Sequence, residues 1–413
     1  MMLKILLPSL INPDLFDFSP GTSWREIYQK YKNEGIDRNP FVNHLHKYGI
    51  QVVQYWINFE RAQKSWAEEF KAKYIDRNWY LDILEAQILH EKPDVIYNTT
   101  LTAIPYSFLE KIKSKLKKTA LWVSYYGVPR VGEFRRFKNY DLFLTGFREL
   151  EKELNTENQV SHFFPHYFDD RLCSESFHVE RKLDFSFIGS LCYKYDDQGF
   201  SYRRRLVQEL MDNCNLKAYS HLNDDLNAPK EAIRQRFCAL RYEIYNLLIG
   251  LPKPWLFFAK MPLIRQVRDW EVKPTPDFFF NARLTPKVLP PKYGKEMYDC
   301  LSQSKLTLNV HGRVDANFGQ AKFAAGNIRL FEATGAGCCL LTDQLPHLQE
   351  FFEFDEEIVT YENPLDAVEK ARYLMDHPKE REEISRRGHQ RAWKDHTSSV
   401  RAKQFAEILQ HHA

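Results

Sequence analysis

The chain has 413 residues, 44% of them hydrophobic and 27% charged, the composition of a globular protein rather than a disordered one. Lys+Arg 58 against Asp+Glu 55 leaves a net charge of only +3, which argues against a dedicated nucleic-acid binder. No apolar run approaches the roughly 18–20 residues that a transmembrane span needs.

Leu3–Leu7 reads as a buried opening strand. It is cut by Pro8 and Pro13 too soon to be a signal-peptide core. Ser23-x-x-Glu26 fits a capping box at the start of a helix, just after Gly21 and Thr22. Ile50–Trp56, Asp94–Tyr97, Ala120–Ser124 and Leu142–Thr145 read as further strands, with a helix over Trp79–His90. Strands spaced by helices of this length predict βαβ units and a parallel sheet covered on both faces. A polar stretch, Asp169 to Lys182, separates this half from a second. There Phe185–Ile188 is a strand, Gly189-Ser190 a turn and Arg203–Met211 the start of a helix. The rhythm breaks between about 220 and 298, where prolines cluster. It resumes with Leu306–Val310, Cys338–Thr342 and Ile358–Tyr361, and the chain ends in charged helix. The seven cysteines are scattered, with no Cys-x-x-Cys. They predict reduced core thiols in a cytoplasmic protein, and no zinc site.

The expected fold class is therefore α/β, two Rossmann-like halves facing across a cleft. The first spans 1–168, with a C-terminal helix over 396–413 packing back on it. The second spans 182–395, with an insertion at about 220–298, and residues 167–182 cross between them. In such sheets ligands bind beyond the carboxyl ends of the strands. The first half offers Gly21, Thr22, Tyr126 and Gly127 to that cleft. His162 and His166, near the crossover, and His311, at a strand end, are weak candidates for a base. The aromatic and basic stretch Trp255–Trp270 fits packing of the insertion better than contact with a membrane surface, though peripheral contact stays open.

Asn309 to Asp343 carries the most chemistry. A strand ends at His311-Gly312 and a helix begins at Gly326-Asn327, where free N–H groups favour an anion such as a diphosphate. Arg329 and Glu332 share one helix face. From Gly326 to Glu332 is about 9 Å at 1.5 Å per residue, the span from a diphosphate to a ribose. Gly335 and Gly337 end the helix.

The pattern Asn327-x-Arg329-x-x-Glu332-Ala333-x-Gly335-x-Gly337, followed by Leu340-Leu341-Thr342-Asp343, resembles the CgeB-like glycosyltransferases, GT-B enzymes related to the group 1 glycosyltransferases. Leu308-Asn309-Val310-His311-Gly312 and Phe187-Ile188-Gly189-Ser190 before Arg203-Arg204 are similar too. The resemblance implies a nucleotide-diphosphate sugar as donor substrate, with no cofactor and no metal. It implies Gly189, Ser190, Arg204, His311, Gly312, Gly326, Asn327, Arg329, Glu332 and Gly335 on the donor side. A glycan, lipid-linked or protein acceptor would meet the first half. Group 1 enzymes often carry two Glu separated by seven residues, and the first falls here on Ala324. That departure leaves the anomeric outcome open. It also keeps two alternatives: a non-catalytic GT-B-like nucleotide-sugar-binding module, and a GT-B nucleotide-sugar epimerase. No Asp-x-Asp follows an apolar strand, no Walker A pattern occurs, and no Gly-x-Gly-x-x-Gly follows the first strand.

Overall fold

A computed structural model describes residues 2–10, 22–33, 39–99, 103–116, 120–126, 140–178, 180–191, 198–220, 287–311 and 327–412. Gly21, Gly127, Gly312, Ala324, Gly326 and nearly all of the 220–298 insertion, including Trp255–Trp270, lie outside the described residues.

The first sheet contains β1 (Leu3–Ser9), β2 (Ile50–Trp56), β3 (Val95–Asn98), β4 (Leu121–Tyr126), β5 (Leu142–Thr145) and β6 (Ser161–Phe163). They lie in the order β2-β1-β3-β4-β5-β6, and every pairing is parallel. Between them run α1 (Trp24–Asn33), α2 (Glu60–Glu69), α3 (Trp79–Glu91), α4 (Tyr106–Lys115) and α5 (Arg148–Thr156). The strand residues alternate between two cores. Leu6, Ile96, Trp122 and Phe143 face one, with Trp66, Ile83 and Ile112 from the helices. Ile5, Leu7, Val95, Tyr97, Val123 and Leu144 face the other. Burial on both faces is why these strands read as near-continuous apolar runs. At α1 the Ser23 N–H donates to Glu26 Oε2 at 2.8 Å and the Glu26 N–H to Ser23 Oγ at 3.3 Å, a reciprocal cap.

The second sheet contains β7 (Leu183–Ile188), β8 (Lys217–Tyr219), β9 (Ser304–Asn309), β10 (Cys339–Asp343) and β11 (Val359–Tyr361). Its order is β11-β10-β9-β7-β8, again parallel. Its helices are α6 (Gln198–Cys214), α7 (Gly294–Ser302), α8 (Ile328–Gly335), α9 (Pro364–Asp376), α10 (Pro378–Asp395) and α11 (Ser398–His412). The last of these leaves the second sheet. Phe405 of α11 packs 5.0 Å from Phe41 of the 3-10 helix Pro40–Tyr48 and 5.1 Å from Tyr97 of β3.

The two chain crossings lie side by side. The Phe168 N–H donates to His396 O at 3.0 Å and the Ser398 N–H to Phe168 O at 2.8 Å. Here Asp170 accepts from Ser398 Oγ, and His44 Nε2 sits 3.1 Å from the same hydroxyl. On the rim, Arg148 pairs with Glu350 at 2.6 Å and Glu149 with His347 at 2.9 Å.

Strands were anticipated within two residues of their observed ends, with two omissions. β6 and β8 are three-residue edge strands whose sequences, Ser-His-Phe and Lys-Ala-Tyr, form no apolar run. The five described cysteines are all unpaired, and burial pushes the Cys339 thiol up to about 12. Among the described residues no helix is long and apolar enough to cross a membrane.

Candidate functional site

The order of the second sheet reverses between β7 and β9, so the crevice at their carboxyl ends is where an open α/β sheet takes a ligand. Arg203 of α6 spans it: its guanidinium donates to Ser190 O at 3.0 Å and Val310 O at 2.8 Å. The sequence had pointed instead to Arg204, which is also buried. In the Gly189-Ser190 turn, expected as a phosphate cradle, two N–H groups are already engaged. The Gly189 N–H is spent on Tyr219 O at 3.2 Å and the Leu191 N–H on Ser220 Oγ at 3.0 Å.

Asn309 ends β9 in register with Thr342 of β10, and Asn309 Nδ2 donates to Thr342 Oγ1 at 2.9 Å. Asn327 caps α8: its Oδ1 accepts from the Leu330 N–H at 3.3 Å, while its Nδ2 donates to Asn309 Oδ1 at 2.9 Å. The next N–H groups are among the four that any helix start leaves without an intrahelical acceptor. His311 lies two residues beyond β9, its Nδ1 2.7 Å from Asp343 Oδ1. Burial alone would raise the Asp343 carboxyl, but the His311 ring and N–H outweigh it and hold it below the usual range.

One turn into α8, Arg329 and Glu332 form an ion pair at 2.7 Å. Arg329 Nε also donates to Ile188 O at 3.1 Å, the last residue of β7. Much of this guanidinium therefore braces the helix against the strand end. Glu332 is 7% exposed. Burial raises its pKa, the Arg329 charge offsets this, and Asp169 from the crossover adds to the rise. Asp169 was not anticipated. It is held bidentately by Arg171, at 2.8 and 2.6 Å.

Gly335 lies under the crossover. A Cβ there would meet the Phe168 ring at 2.6 Å, and Trp393 Nε1 donates to Gly335 O at 3.0 Å. The crossover packs onto this position and leaves no room for a side chain. Gly337, at φ 74°, turns the chain into β10.

The candidate bases separate. His162 sits on edge strand β6 with its Nε2 2.9 Å from that of His412, engaged with the end of α11. His166 lies past β6, its ring 5.9 Å from that of Tyr125. Burial, then Arg401, pushes it down to about 4, so it is neutral at physiological pH and a weak proton acceptor. Tyr126 ends β4, buried, and Thr22 precedes the α1 cap. Neither is brought against the α8 residues by any described contact.

A cavity of about 520 Å³ lies at the opposite edge of the second sheet, lined by Arg181, Tyr298, Gly337 and His389 among others. Arg181 is occupied there with the end of α7, donating to Ser302 O at 2.5 Å. No group of three or more potential metal ligands occurs among the described residues.

Residues 273–407 match a family described as glycosyl transferase-like. That span contains β9, α8 and β10 with the Asn309, His311, Asn327, Arg329–Glu332 and Asp343 contacts among them. Sucrose-phosphate synthase from Thermosynechococcus elongatus superposes over 99% of this chain and 98% of its own, with TM-score 0.56 at 10% identity. The fold is GT-B. A glycosyltransferase from Rickettsia africae gives TM-score 0.56 at 8% identity, covering 99% of this chain and 98% of its own. HepE from Anabaena, in complex with UDP and glucose, gives 0.52 at 11% identity, covering 99% and 100%. No curated protein matches the chain.

Proposed function

We propose that the protein is a glycosyltransferase that takes a nucleotide-diphosphate sugar at the carboxyl edge of the second sheet and transfers the sugar to an acceptor hydroxyl. The observation that carries this is the arrangement on α8. A capped helix start stands at the strand ends and a buried carboxylate one turn further in, inside the glycosyl transferase-like segment. The helix start suits the diphosphate, and Glu332 suits the ribose hydroxyls. HepE, which shares the fold, is seen with UDP and glucose.

The acceptor oxygen forms a bond to the anomeric carbon as the bond from that carbon to the diphosphate breaks. Helix N–H groups and nearby cationic side chains stabilise the leaving group without a metal. Arg203 holds the crevice open between β7 and β9, Arg329 orients Glu332, and Arg204 remains a candidate for the phosphates. The first sheet's carboxyl edge, with Thr22 and Tyr126, supplies acceptor contacts in this reading. The CgeB-like group and a cytoplasmic location, with peripheral contact at a membrane face, belong to the same proposal.

Thermal-shift screening against nucleotide sugars tests it, because a ligand of the native state raises apparent stability. One nucleotide sugar should raise Tm, and should release nucleoside diphosphate when acceptor is added. No shift with any donor would reject the reading. Epimer formation without release would replace it with the epimerase.

A further inference from the structure

The polar contacts at the edge of β9 and β10 have a direction. Asn327 donates to Asn309, and Asn309 donates to the Thr342 hydroxyl. The Thr342 proton is then left for Asp343 Oδ1, 3.4 Å away. The same oxygen accepts the His311 backbone N–H at 3.1 Å and faces His311 Nδ1 at 2.7 Å. An ionised carboxylate only accepts, so the imidazole must carry its proton on Nδ1. The other ring nitrogen is where the chain stops. His311 is 7% exposed, and its Nε2 is buried with no hydrogen-bond partner among the described residues.

Two observations meet here. The bare Nε2 is a buried polar atom whose lack of a partner costs free energy that a ligand would recover. The same hydrogen bonds also tie the ring to the N-cap of α8. The helix start and the imidazole are therefore held as one unit at the sheet's carboxyl edge.

We propose that His311 is the charged hydrogen-bond donor to the diphosphate leaving group, and that Asp343 is its positioning residue. This rests on the glycosyl-transfer reading above. In its doubly protonated form the imidazole stands between two negative charges, Asp343 behind the ring and the diphosphate before it. As the anomeric carbon–oxygen bond breaks, its electron pair stays on the diphosphate oxygen. The His311 Nε2–H bonds to that growing charge without giving up its proton.

Nitrogen-15 NMR of the imidazoles, with His311 assigned through His311→Gln, reads this in the wild-type protein. The probe is inorganic pyrophosphate, which needs no knowledge of the base. The free protein should show Nδ1 protonated and Nε2 bare, and pyrophosphate should bring Nε2 to the protonated position. Asp343→Asn should weaken pyrophosphate by roughly 10–100-fold, the worth of a hydrogen bond to a charged group, and abolish the Nδ1-protonated signature. If that variant does not fold, the wild-type spectrum decides alone. A bare Nδ1, pyrophosphate that fails to bind, or binding that leaves the His311 signals in place overturns the proposal. If pyrophosphate protonates Nε2 but no nucleotide sugar binds, the anion contact stands and the glycosyl-transfer reading falls.

Discussion

At its N-terminus α8 is held by hydrogen bonds between polar side chains; at its C-terminus it is held by aromatic rings. Asn327 reaches Asn309 at the first end. At the second, Phe168 lies where a Gly335 Cβ would be, and Trp393 donates to the Gly335 carbonyl. Eight residues thus carry two different constraints. A motif that runs from Asn327 to Gly337 mixes ligand chemistry with the packing of the crossover against its own helix. Substitutions at the two ends should separate accordingly, the packed end moving stability and the polar end moving ligand binding.

The largest effect is expected at the packed end. A Cβ at Gly388 of α10 would stand 2.2 Å from the Glu357 carbonyl oxygen, and one at Gly335 would stand 2.6 Å from the Phe168 ring. Gly388→Ala should cost about 3 kcal/mol or more because backbone must move, and Gly335→Ala roughly 1–3 kcal/mol. Denaturant melts measure both. Nucleotide affinity of the folded Gly335→Ala protein should be unchanged, and a selective loss of affinity would return Gly335 to the donor site.

Next comes acid sensitivity at the crossing. Burial, with Arg401 nearby, pushes His166 down to about 4 and His396 down to about 3, from 6.5. The unfolded chain therefore binds more protons than the folded one below pH 6.5. Stability contributed by the neutral rings is complete above that pH and is lost as pH falls toward the folded values. At pH 5 each should cost about 2 kcal/mol relative to pH 7.5. His396→Gln should flatten that slope in melts at the two pH values, and an unchanged slope would mean the ring is solvated.

Asn327→Ala gives the smallest change in stability, about 1 kcal/mol, the usual worth of a helix N-cap. It should weaken nucleoside diphosphate more than it weakens the fold, because it also cuts the link to Asn309. Equal affinity in titration calorimetry would show that the polar end is only a cap.

The contrast between the ends also explains what the sequence could convey. Asn327 and Gly337 marked the limits of α8 because caps are local chemistry. The parallel sheets were legible because strands buried on both faces are apolar throughout. Asp343 was visible in the motif but not as the partner of His311, which lies 32 positions away and is joined only by strand register. Arg203 was not singled out because three consecutive arginines fix no rotation of α6. The packing at Gly335 was not legible because nothing local reveals that Phe168 lies on it.

The central claim is that Glu332 holds the ribose of a nucleotide bound at the start of α8. A double cycle tests it most directly, pairing Glu332→Gln with the 3′-deoxy analogue of the nucleoside diphosphate that binds, measured by calorimetry. Either change alone should weaken binding by roughly 1.5–3 kcal/mol, and the second should add little once the first is made, as for groups in contact. Fully additive losses in a folded protein would place Glu332 away from the ribose and contradict the account.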